Sequence, residues 1–148
     1  AGLVGFGWLH KLATDEKLRL PIIHHPAYSG GFVSPGVSGV ADYLQLGLLP
    51  RIFGADMPIF VSYGGRFTFT EKQCKRISSY IKRPMGLMKA ACPAPGGGVT
   101  DTRLNELVEL YGNDTMFLVG GDMFRRGPDI EANMSYFVER LTKLSERT

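Results

Sequence analysis

Four short apolar runs recur about every 30 to 37 residues, each followed by a stretch of helical periodicity, and this alternation narrows the choice of fold more than any other feature of the chain. The runs are LRLPIIHH, ending near His25, MPIFVS at 57–62, GLMKAACP at 86–93 and TMFLVGG at 115–121. Around them, the spacing predicts helices over 6–13, 39–53, 70–81, 101–111 and 129–145. The repeat has the length of one strand, one helix and two loops, and such alternation builds a parallel sheet with helices packed on it. The runs are apolar without a period of two, as strands covered on both faces are. Four units make either half of an eight-stranded barrel or a small doubly wound sheet that would bind a mononucleotide.

Two helices are defined by their stripes. Leu104, Leu107, Val108 and Tyr111 fall at i, i+3, i+4 and i+7, which gives one face to bury. Thr100 or Asp101 is placed to cap the first turn, and Gly112 with Asn113 to stop the last. Met134, Phe137, Val138 and Leu141 repeat the spacing behind Pro128 and Asp129. Phe6, Trp8 and Leu9 read as packing residues of the first helix.

Bulk properties exclude several function classes. With 148 residues and 44% hydrophobic content the chain has material for one core and is too apolar for a disordered segment. Seventeen basic residues against 14 acidic ones are dispersed rather than grouped, so nucleic acid is not the expected partner. Cys74 and Cys92 have neither metal-ligand spacing nor the density of a disulfide scaffold, which implies a reducing compartment. No apolar run reaches the roughly 18 residues of a membrane helix and no signal peptide opens the chain; a cytoplasmic protein without a membrane partner is expected. The opening AGLVGFGWLHKLAT lacks an initiator methionine and begins as though a strand had just ended, so all 148 residues are expected to form part of one domain in a longer chain.

Glycine collects where such folds place ligands. Gly64 and Gly65 follow the second run, Gly96, Gly97 and Gly98 the third, and Gly120 and Gly121 the fourth. Glycine admits positive φ and lets backbone N–H groups approach an anion closely, while a following helix adds its positive end. A lone triple glycine is equally well a loose loop. Two clusters on successive strand ends, each leading toward a helix, favour a phosphate site, and in barrels that site commonly lies on the last two strand loops.

The segments HHPAYSGG, GADMPIFVSYGGRF, PAPGGGVTDTRLNELVELYGND and FLVGGDMFRRGPD, in this order and at these separations, resemble the carboxyl-terminal part of the RuBisCO large-chain barrel, and more closely that of the RuBisCO-like (form IV) proteins. The resemblance implies an α/β fold, the C-terminal portion of a (β/α)8 TIM barrel from about the end of strand 4 to helix 8. It also implies roles. Gly96, Gly97 and Gly98 match the phosphate loop of the seventh strand, and Gly120 and Gly121 the eighth-strand pair whose amides hold the same phosphate. His25 matches the catalytic fifth-strand histidine beside the substrate's reacting oxygens, and Ser62, Tyr63, Gly64, Gly65 and Arg66 occupy the sixth-strand lid loop.

The departures from that pattern carry information too. Pro26 stands where carboxylases have arginine, Ile59 where they have a phosphate-binding histidine, and the lid loop lacks their lysine. Losing a five-donor guanidinium and an imidazole removes most of a dianion site, so one substrate phosphate and no carboxylation of ribulose bisphosphate are expected. The resemblance further implies a Mg2+ ion polarising a carbonyl for proton abstraction. Its ligands, a carbamylated lysine and two carboxylates, lie upstream, so no metal ligand is expected in these residues. A homodimer, completed by the missing N-terminal part of its own chain, follows from the same resemblance.

The expected activity is enolisation, isomerisation or a related carbon–carbon step on a small phosphorylated keto compound by the intact protein, these residues alone being inactive. A non-catalytic phosphate-binding module is the alternative. Among single residues, neighbours on a strand face opposite ways, so one of His24 and His25 faces the site while the other packs. Asp56 reads as structural, Asp122 as an unfavourable neighbour of a phosphate, Arg125 and Arg126 as solvated, and Cys92 as a small core residue. Lys89 points either into the barrel mouth or toward a helix layer.

Overall fold

The computed structural model describes residues 3–33 and 39–146. Three parallel strands, β1 (Ile23–His24), β2 (Met57–Val61) and β3 (Ala94–Gly96), lie in the order β1-β2-β3. A fourth extended segment joins through a parallel bridge between Gly96 and Leu118 and through N–H bonds from Met116 to Pro93 O and from Leu118 to Pro95 O. The helices are α1 (Gly5–Ala13), α2 (Gly30–Val33), α3 (Leu49–Ile52), α4 (Glu71–Lys82), α5 (Leu104–Tyr111), α6 (Gly121–Arg125) and α7 (Ile130–Ser145). A π-helical turn, Leu44–Leu48, precedes α3, and a 3-10 turn, Asp101–Arg103, precedes α5. Sequential, parallel neighbours with helices between them are successive units of the barrel wall.

The third strand is not at 86–93. That stretch holds a turn closed by an antiparallel bridge between Met85 and Met88, and the paired residues are Ala94–Gly96. Prolines are normally excluded from inner strands because they cannot donate to the ladder. Here Pro93 and Pro95 direct their carbonyls to the fourth segment, while the flanking residues bond the other neighbour, Cys92 N–H to Asp56 O and Ser62 N–H to Gly96 O. The missing donors therefore all fall on one side, and the 115–121 run is held by half a ladder, its last residue Gly121 already starting α6. The first run likewise shrinks to Ile23–His24, whereas the helix expected over 39–53 forms continuously over 42–52, its middle wound as the π turn that leads into α3, after Gly39 at φ +131°.

The core lies between the strands and α4, α5 and α7, with Phe60, Ile77, Ile81, Leu107 and Phe137 at its centre. α4 starts on a reciprocal cap, Thr70 Oγ1 accepting from Gln73 N–H and Gln73 Oε1 from Thr70 N–H. α5 buries all four residues of its predicted stripe and ends at Gly112, φ +77°. α7 is capped by Asp129 but is turned from the expected face: Asn133, Phe137 and Leu144 are buried while Met134 and Val138 are exposed. Leu9 packs inward and Phe6 stacks on Phe53, whereas Trp8 is 56% exposed beneath Lys11 rather than packed.

Candidate phosphate and substrate site

Register decides which side chains reach the site. His24 pairs with Pro58, and Phe60 follows on the same, helix-facing side of β2. His24 is accordingly buried against the Phe6 ring, and burial above all, with smaller repulsion from nearby positive charge, lowers its pKa from the usual 6.5 to about 4. Its Nδ1 has no hydrogen-bond partner among the described residues. His25 takes the opposite direction and lines a cavity of about 1060 Å³ at the carboxyl ends of the strands. Ile59 and Val61 of β2 line the same cavity.

Around that cavity stand Gly96, Gly97 and Gly98 on one side and Gly120 and Gly121 on another, with Arg66 and Arg125 at its edge. Gly97 and Gly98 have φ of +78° and +73°, which explains glycine there. A Cβ on Gly97 or Gly120 would meet nothing within 4 Å, so both turns leave their backbone open to the cavity. Pro26 and Ile59 form apolar wall at the two positions where the carboxylase pattern calls for cationic side chains.

The predicted lid divides. Ser62 is core, fully buried with its Oγ 3.2 Å from the Tyr111 hydroxyl, because β2 runs straight into it. Arg66 reaches the cavity. Between them Gly64 has φ +74° and Gly65 presses on the Gly97–Gly98 backbone.

Asp122 lies on the cavity wall without opposing it as a bare charge. Its Oδ2 accepts the Asp101 N–H at 2.9 Å and its Oδ1 pairs with Arg125 at 3.1 Å. The backbone bond first, and the arginine after it, hold its carboxyl below the usual range. The first-turn cap thus comes from Asp122 rather than from Thr100 or Asp101, since Thr100 Oγ1 engages Thr102 instead. Arg125 is largely solvated, as expected, while pairing with Asp122, but Arg126 is not, for it lies 3.5 Å over the Tyr136 ring and 3.8 Å from Asp101.

The other singled-out residues are structural. Asp56 Oδ2 accepts the Ile22 N–H at 2.8 Å and ties the entrances of β1 and β2. Lys89 is exposed away from the cavity, and its carbonyl accepts the buried Arg51 guanidinium, which also binds Met88 O, Tyr80 O and Arg83 O. Burial raises the pKa of both thiols, that of Cys74 to about 11, so neither is an activated nucleophile. Arg51 and Arg103 carry more structure than any motif signalled; Arg103 lies in the helix start behind the triple glycine, its one sequence clue. Among the described residues no group of three or more His, Cys, Asp or Glu side chains could hold a metal ion, and no helix is long and apolar enough to cross a membrane.

Parallel strand–helix units, with glycine turns and His25 around a cavity at the carboxyl ends of the strands, define a segment of a (β/α)8 barrel whose cavity lies at the end where such barrels place their ligands. The comparisons make the class specific: the chain belongs to the RuBisCO large-chain superfamily, as the C-terminal barrel part of a RuBisCO-like protein. It is 33% identical over 135 residues to ribulose bisphosphate carboxylase-like protein 1 of Rhodopseudomonas palustris, covering 91% of this chain and 35% of that protein. It is 32% identical over 117 residues to the 2,3-diketo-5-methylthiopentyl-1-phosphate enolase of Exiguobacterium sibiricum, covering 79% and 29%. The crystal structure of a RuBisCO-like protein from Alicyclobacillus acidocaldarius superposes on the whole chain with a TM-score of 0.90 at 26% identity, covering 37% of that structure. No protein-family model matches. The chain spans about a third of the length of the curated relatives it matches.

Proposed function

We propose that the intact protein catalyses enolisation, or a closely related isomerisation, of a small phosphorylated keto compound, without carboxylating ribulose bisphosphate. These residues supply the phosphate-binding half of its site. The observation that carries the reading is that His25, Gly97, Gly120 and Gly121 line one cavity at the strand ends. In this reading the amides of the two glycine turns hold the phosphate, fixing the substrate's reach, and His25 lies beside the reacting oxygens, where it exchanges a proton. The apolar Pro26 and Ile59 walls support one phosphate and a less polar tail, and the enolase relative's name supports a phosphorylated diketone. The residues described here do not fit the Mg2+ ion that the family resemblance implies, so its ligands are assigned to other parts of the intact protein, as is completion of the site in a homodimer.

The test is to incubate the intact protein with 2,3-diketo-5-methylthiopentyl 1-phosphate and Mg2+ in deuterated water, reading enol absorbance and deuterium uptake, with ribulose 1,5-bisphosphate and labelled bicarbonate in parallel. Deuterium uptake that is lost in His25→Asn, with no carbon fixed, is expected. Fixed carbon, or no exchange into any phosphorylated ketone, would refute the proposal.

A further inference from the structure

We propose that Arg103 is a positioning residue that couples the loop after β2 to the glycine loop after β3, so that phosphate held by the second orders the first; the inference rests on the phosphate reading above. Arg103 Nη1 donates to Tyr63 O at 2.7 Å and to Gly98 O at 3.0 Å, one nitrogen bridging the two loops. The guanidinium stacks 4.5 Å over the Tyr63 ring, and its Nη2 and Nε bind Glu106 at 3.1 and 3.3 Å. The side chain is only 20% exposed, so these bonds compete weakly with water.

The glycines around it fit that role. A Cβ on Gly64 would lie 2.6 Å from Arg103 Nη1. One on Gly98 would lie 2.8 Å from Gly65 N, and one on Gly65 would lie 3.0 Å from Gly98 N. Side chains at these positions would push the loops apart or displace the guanidinium. A phosphate that fixes the Gly97–Gly98 backbone also fixes the Gly98 carbonyl on which Arg103 depends. Through Tyr63 that constraint passes to the loop that carries Arg66 to the cavity. Coupling of this kind is reciprocal: whatever factor phosphate gains by ordering the loop is lost when Arg103 is removed.

Hydrogen exchange of the intact protein, with and without inorganic phosphate, reads both loops at once. In the wild type, phosphate slows exchange at 96–98 and at 62–66. In Arg103→Ala it slows only 96–98, phosphate affinity falls on the order of five- to tenfold, and KM for the phosphorylated substrate rises with little change in kcat. Arg103→Lys retains part of the coupling, and Glu106→Gln, which removes only the exposed partner, behaves as wild type. Should Arg103→Ala fail to fold, Gly64→Ala displaces the guanidinium with Arg103 still present, and the same loss at 62–66 is expected. Phosphate-dependent protection of both loops in Arg103→Ala or Gly64→Ala overturns the inference, as does protection of 96–98 alone in the wild type. No protection at 96–98 in the wild type overturns the phosphate reading and this inference with it.

Discussion

Acidifying the protein should cost it stability through His24, and replacing His24 with leucine should remove that cost. The imidazole is 4% exposed, and burial holds its pKa near 4 against the usual 6.5. A folded-state pKa below the unfolded one means the unfolded chain binds the extra proton. The contribution is therefore fully present above 6.5 and is lost as pH falls toward 4. For one group with these two values the loss relative to pH 7.5 is on the order of 1 kcal/mol at pH 5.5 and roughly 2 to 3 kcal/mol at pH 4.5. Leucine fills much of the ring's volume beside Phe6 and leaves no orphaned Nδ1. Urea denaturation of wild type and His24→Leu at pH 7.5, 5.5 and 4.5 isolates the effect, because every other titrating group is common to both proteins. The gap between them should move in favour of the variant by roughly 2 to 3 kcal/mol across that range. Equal losses in the two proteins would refute the buried, neutral histidine.

Phe137→Ala should lower stability by about 3 to 5 kcal/mol in the same denaturation experiment, since the ring is 1% exposed at the centre of the core. Arg51→Met leaves the carbonyls of Tyr80, Arg83, Met88 and Lys89 without their donor and should cost about 3 kcal/mol, with proteolysis opening first in the 83–89 turn. Asp122→Ala removes a carboxylate from the cavity wall and frees the Asp101 amide; calorimetry should find inorganic phosphate bound several-fold more tightly, with about 1 kcal/mol of stability lost. Because the Asp122 carboxyl is held below the usual range, the stability it adds is present above that range and disappears as pH falls through it, so the variant's deficit should vanish in strong acid.

The parts of the fold that were legible in the sequence are those governed by a single local rule. The stripe from Leu104 to Tyr111 is buried as spaced, because one helix face meets one core. The division of labour between His24 and His25 follows from strand alternation alone. The third strand lies beyond the apolar run at 86–93 that points to it, because the two prolines at 93 and 95 carry no local strand signal. Their tolerance at 93 and 95 depends on both missing donors facing the weakly paired neighbour, which is a property of the sheet. The buried face of α7 departs from its apolar stripe for a related reason: Asn133 is drawn inward by the Met123 and Gly127 carbonyls, contacts that belong to α6 and the turn after it. Arg51, Arg103 and Ser62 act through loop carbonyls or a hydroxyl from elsewhere in the chain, and no spacing records such partners.

The same long-range contacts explain why the glycine loop can be both flexible in composition and fixed in place. Its entry is held by the Ser62 N–H bond to Gly96 O, and its middle by Arg103 on Gly98 O. Its exit is held at Asp101, whose carboxylate takes the Tyr136 hydroxyl at 2.8 Å and Arg140 at 3.3 Å from α7 while its N–H is given to Asp122. Gly97, with positive φ and open space where a Cβ would be, is left between these anchors facing the cavity. Three glycines in a row would make an isolated loop costly to order, but anchoring both sides removes most of that cost before any ligand arrives. In the proposed phosphate reading, the anion has only the Gly97 turn and its contacts left to fix, which approaches the condition under which backbone dipoles stabilise charge with little reorganisation.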